Sequence, residues 1–148
     1  IRAIRYHELH MILAREVNCI HEKERAANEL VFAYLNHARR ILAKKKKCNY
    51  RCDYHNTDAS GGVENNPRKK KKERLIEKDA LQFFLKSIES ARAIKNKKAE
   101  CIICCDVGKV YMSLGQHKKG KMYQKLHEHL HCMLSYQDEK IRQETEEN

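Results

Sequence analysis

From Cys105 to His127 the chain reads CDVGKVYMSLGQHKKGKMYQKLH, and Leu114-Gly115-Gln116 divides the stretch in two. Glycine enters the left-handed conformation that closes a helix without a side-chain clash. This spacing predicts a helix over residues 99–114, a tight turn, and a second helix over residues 117–136. Upstream, Asn96-Lys97 reads as another turn, with helicity expected from about residue 70 to 95. Downstream, a break at Gln137-Asp138 is expected to precede an acidic segment over residues 137–148.

The same design extends toward the N-terminus. Ile1, Ile4, Leu9, Ile12, Leu13, Val17 and Ile20 recur in steps of three, four and five, which suits an amphipathic helix. His21-Glu22-Lys23-Glu24 interrupts it, and a second helix is expected over residues 24–43 with Ala27, Leu30, Val31, Tyr34, Leu35, Ala38, Ile41 and Leu42 inward. Residues 45–69 show no period and collect Asn, Asp, Ser, Gly61-Gly62 and Pro67, so they read as a basic polar loop or insertion.

Two internal offsets suggest repetition. At an offset of 40, Ala80 meets Gly120 and Phe83 meets Tyr123. At an offset of 53, Ala27 meets Ala80, Leu30 meets Phe83, and Ala38-Arg39-x-Ile41 meets Ala91-Arg92-x-Ile94. The second offset requires an insertion, which the loop supplies.

On these residues the chain resembles the tetratricopeptide (TPR) repeat family, in its long-repeat subclass, most clearly over residues 78–134. Val107-Gly108-x-x-Tyr111 sits where the family has its first-helix Leu-Gly-x-x-Tyr core, Leu114-Gly115-Gln116 matches the interhelix turn, and Gly120 takes the small position three before Tyr123. Small residues let paired helices approach and aromatics fill the gap between them. The resemblance implies an all-α fold of antiparallel helix-hairpin repeats, a TPR-like α-solenoid fragment. Residues 1–44 form a divergent hairpin in that reading, and residues 70–136 the TPR-like helices. It also implies a groove lined by first helices, with Ile102, Cys105, Lys109 and Met112 on the groove side. Ile1 already sits in a helical pattern, which reads as a piece of something longer.

Composition narrows the partners. The chain has 148 residues, a formal net charge of +11 and seven cysteines. Between Lys44 and Lys72 ten Lys and Arg stand against three acidic residues, so seven of the net positive charges lie there. Lys44, Lys45, Lys46, Lys47, Arg68, Lys69, Lys70, Lys71 and Lys72 form a candidate basic patch for phosphate, acidic tubulin tails or nuclear import. Tyr50 and Tyr54 lie between the two runs and could stack on bases. The odd cysteine number and irregular spacing argue against a disulfide framework and for a reducing compartment, cytoplasmic, cytoskeletal or nuclear. No apolar run approaches the length a membrane span needs, so no membrane insertion is expected.

His127-Glu128-x-x-His131 matches the H-E-x-x-H pattern of zinc peptidases, with two histidines one helical turn apart and a glutamate to activate water. Against it, Lys125 is charged where that pattern is not, and few residues remain downstream for a third ligand, with Glu139 and Glu144 the only acidic candidates at useful distance. Cys48-x3-Cys52-x2-His55, and Cys104 or Cys105 opposite His127 or His131, lack the paired spacing of a strong structural zinc site. Cys101, Cys104 and Cys105 read as core residues. The expectation is therefore a protein–protein interaction scaffold, part of a larger assembly, with an acidic protein partner, no cofactor, no metal and no catalytic residue. The alternative is a basic-loop binder of nucleic acid or the microtubule surface, and a zinc peptidase stands third.

Overall fold

The computed structural model describes residues 1–53 and 67–146, with the backbone alone at residues 46–53 and 69. Five helices follow one another: α1 (Arg2–Glu16), α2 (Ile20–Asp53), α3 (Pro67–Ala93), α4 (Lys97–Ser113) and α5 (His117–Glu146), with no strand among the described residues. Each packs chiefly on its chain neighbours. Cross-links pair early residues of one helix with late residues of the next, so the neighbours run antiparallel. Lys45 on α2 reaches Glu77 on α3, while Val31 accepts from Ser87 (2.8 Å). The fold is thus an all-α array of helix hairpins, as expected from the sequence.

The α4–α5 turn forms as the sequence implies. Gly115 takes φ 78°, its N–H donates to the Met112 carbonyl (3.0 Å) and that of Gln116 donates to Tyr111 (2.9 Å), which closes α4. The α3–α4 turn has the same bonds, from Lys95 to Arg92 and from Asn96 to Ala91, but there the left-handed residue is a lysine, with φ 56°. Asn96 then caps α4 by accepting from the Ala99 N–H (2.9 Å), and its amide donates to Asn28 on α2 (2.9 Å).

The core runs from α2 to α5. Val31, Leu35, Phe84, Ile88, Ile103, Val107 and Leu130 are buried in one cluster. The two hairpins repeat a motif. Tyr34 on α2 lies beside Phe83 on α3 (6.3 Å between centroids), and Tyr111 on α4 stacks on Tyr123 of α5 (5.5 Å). Ala80 and Gly120, one offset of 40 apart, are both buried. At Gly120 an added Cβ would meet the Met112 Sδ at 2.6 Å and the Gly108 carbonyl at 3.2 Å, so the α4–α5 crossing depends on small residues at this site.

Four expectations need correction. The interruption expected at residues 21–24 lies earlier, since α2 begins at Ile20. The expected loop is shorter at both ends: α2 runs to Asp53 and α3 starts at Pro67. Lysine is a good helix former, and Lys45 gains ion pairs with α3, so the Lys run prolongs the helix rather than ending it. The remainder of that loop, residues 54–66, lies outside the described residues. The break at Gln137-Asp138 is also absent, because neither residue stops a helix and Asp138 pairs with Lys98 (3.4 Å). Finally, most of the apolar stripe over residues 1–20 is not core: Ile4 is buried, while Ile1, Leu9, Ile12, Leu13, Val17 and Ile20 are exposed. α1 meets α2 through a different face, with a Tyr34-to-Glu8 hydrogen bond (2.6 Å) and His10 near Glu29 (3.2 Å).

Candidate partner-binding groove

Helices α2 and α4 both pack on α3 and approach one another across it. Arg39 on α2 and Asp106 on α4 form an ion pair at 2.8 Å that bridges the two. Beside this bridge lies a groove of about 540 Å³. Phe84 of α3 lies at its floor, with Leu42 of α2 and Val110 of α4 as apolar walls. Its rim is charged. Lys45 donates to Glu77 at 2.5 Å and stands 4.0 Å from Glu73. Glu77 is a nearly buried carboxylate, so Lys45 neutralises it and is not available to a partner.

Lys109 differs from these neighbours. It lines the same groove, is exposed, and has no ion-pair partner among the described residues. Four residues, Ile102, Cys105, Lys109 and Met112, were expected on one face of α4, and the structure separates them. Ile102 (46 % exposed) and Lys109 share an open ridge. Cys105 is half-buried, and Met112 turns toward α5, where it covers Gly120. The sequence reading missed Arg39, Leu42, Glu77 and Asp106. Nothing local marks them, because they come together only when α2 and α4 meet across α3.

The basic runs occupy one end of the α2–α3 hairpin, because the end of α2 runs antiparallel to the start of α3. Lys44 is exposed there, and Lys70, Lys71, Arg74 and Lys78 surround the exposed Leu75 on one face of α3. Lys70, Lys71 and Lys72 are exposed, whereas Arg68 is already engaged. The side chains of Lys46, Lys47 and Lys69 lie outside the described residues, as do those of Cys48, Tyr50 and Cys52 and the whole of Tyr54 and His55.

Among the described residues, Cys101 and His127 meet across the α4–α5 contact. His127 lies with Nδ1 2.9 Å from the Cys101 carbonyl and 3.3 Å from its Sγ. The carbonyl can only accept, so Nδ1 carries the proton and donates. Burial, with Cys105 adding to it, pushes the Cys101 thiol up, and burial takes Cys104 to about 11. Neither thiol is a ready nucleophile at neutral pH. His127 and His131 stand 6.1 Å apart between ring centroids, while Glu128 and His131 face solvent. Among the described residues no group of three or more His, Cys, Asp or Glu converges on a metal position. No helix there is long and apolar enough to cross a membrane.

No protein-family profile matches the chain, and no curated protein or solved structure shows significant similarity to it.

Proposed function

We propose that the chain is a protein–protein interaction scaffold module of the TPR-like kind, which docks a segment of an acidic protein partner in the groove between α2, α3 and α4. The observation that carries this reading is Lys109, a cation with no ion-pair partner among the described residues, beside a groove walled by Leu42 and Val110 over the buried Phe84. Among the described residues the other rim charges are already paired, so a partner carboxylate meets Lys109 at that rim, while an apolar side chain of the partner meets Leu42. The module works within a larger assembly, in the cytoplasm, on the cytoskeleton or in the nucleus. It is not an enzyme in this reading: the Cys101–His127 contact is packing, and the H-E-x-x-H match is incidental.

A second reading has its own support. The two basic runs meet at one end of the α2–α3 hairpin, where they would take nucleic acid or acidic tubulin tails. One experiment separates the two. Proteins captured from the native source by the wild-type chain are compared with those held by Lys109→Glu and by the double variant Lys70→Gln/Lys71→Gln. The groove reading expects Lys109→Glu to lose the partner and the double variant to keep it, with a shallow salt dependence. If the double variant loses the partner and Lys109→Glu keeps it, the basic end is the site and the groove reading fails.

A further inference from the structure

Helix α1 has two apolar faces. One packs on α2 through Ile4 and Ala14. The other points away from the protein: Tyr6, Leu9, Ile12 and Leu13 are 67, 60, 50 and 57 % exposed. Four large apolar side chains contiguous on one short helix are the kind of surface that proteins cover. The charges around them carry a pattern. Arg2 and Arg5 stand at the start of α1 and Glu16 at its end; all three are exposed and have no ion-pair partner among the described residues. Arg2, Leu9 and Glu16 are seven residues apart in turn, so they form one stripe along the helix with Leu9 at its midpoint.

We propose that this face is a self-association surface, on which α1 of two copies pairs antiparallel about a two-fold axis through Leu9. In that register Leu9 meets Leu9, and Arg2 of each copy faces Glu16 of the other, at both ends of the seam. Tyr6 meets Leu13 along one flank. Along the other, Arg5 lays its aliphatic stem on Ile12. A parallel pairing would instead oppose Arg2 to Arg2 and Arg5 to Arg5, which is repulsive. A uniformly acidic or basic partner matches one end of the face and repels the other, whereas the reversed helix matches both. The helix is about 22 Å long, from a rise of 1.5 Å per residue, so the interface is small and the association weak and reversible. This proposal is independent of the groove.

The test is sedimentation equilibrium of the full chain over a dilution series, with far-UV circular dichroism of each variant. The wild type should dimerise with rising concentration, and Leu9→Glu, which places two carboxylates on the axis, should be monomeric with unchanged helix content. Arg2→Glu and Glu16→Arg should each weaken the dimer about tenfold, since each makes two like-charge contacts per dimer. The doubly swapped Arg2→Glu/Glu16→Arg chain should recover most of that loss. A wild type that stays monomeric, a dimer indifferent to Leu9→Glu, assembly beyond a dimer, or a double swap no better than the single ones would each overturn the proposal. Should Leu9→Glu lose helix content, the charge-swap set decides alone.

Discussion

Helices α1 and α4 are of similar length, yet α1 buries two of its fifteen residues and α4 nine of its seventeen. Position in the array causes the difference. α4 is packed by α3 and α5 and bridged to α2 through Arg39 and Asp106, and the ridge of Ile102 and Lys109 stays open. α1 packs chiefly on α2. Both helices read as amphipathic, because periodicity reports which residues share a face and not whether a neighbour covers it. The same kind of apolar stripe therefore becomes core in one helix and surface in the other.

The largest expected effect tests this contrast directly. Ile103 on α4 is fully buried, so Ile103→Ala should cost about 2–5 kcal/mol through lost burial and the cavity left behind. Leu13→Ala on α1 should change stability by about 0.5 kcal/mol or less in dilute solution, because Leu13 gives up little burial. Chemical denaturation of both variants measures the two values. Comparable losses would mean that α1 is packed as tightly as α4, and the comparison would collapse.

A smaller effect concerns carboxylates. Glu100, in the first turn of α4, is nearly buried, and burial alone would raise its pKa. Hydrogen bonds from Lys97 (2.9 Å) and Arg92 (2.6 Å) outweigh it and hold the carboxyl below its ordinary 4.5. A carboxyl depressed on folding adds stability that is fully present above the unfolded pKa and lost as pH falls through the folded one. Glu100→Gln should therefore cost about 1–3 kcal/mol at pH 7, and its difference from wild type should shrink below about pH 4. Glu29, at the α1–α2 contact, is also lowered: burial would raise it, but His10 and Arg25 prevail. Its side chain is a third exposed, so solvent screens the interaction and Glu29→Gln should cost less than about 1 kcal/mol. A Glu29 loss equal to that of Glu100 would show that α1 is held as firmly as α4.

Legibility followed local chemistry. The α4–α5 turn was readable because glycine is the residue that turn requires, and Gly108 and Gly120 marked a close crossing through their lack of side chains. The start of α2, the length of its Lys run and the continuity of α5 are not legible locally, since polar residues read as breaks although helices accept them. The groove was half legible: Lys109 and Ile102 do share an open ridge, but Arg39, Leu42, Glu77 and Asp106 join it through contacts between distant segments. The outward turn of α1 left no trace in the spacing.

A further small effect lies at the turn after α1 and the turn before α4. Lys95 precedes α4 and holds φ 56°, a conformation that a side chain makes costly, and Asn18 after α1 holds φ 53°. The backbone bonds around Lys95 match those around Gly115, so glycine fits there without rearrangement. Lys95→Gly relieves the clash in the folded state, while glycine's extra freedom in the unfolded chain removes part of the gain. The net expectation is a stabilisation of about 0.5–1 kcal/mol. Asn18→Gly should gain less or lose, for two reasons. Asparagine tolerates the left-handed region better than lysine, and its Oδ1 accepts from the Lys23 Nζ (2.6 Å), a bond glycine cannot make. Thermal melts of both variants decide it. If Asn18→Gly stabilises the chain and Lys95→Gly does not, strain is stored at the end of α1 rather than at the entrance to α4, and the better-packed helix is not the one entered through a costly turn.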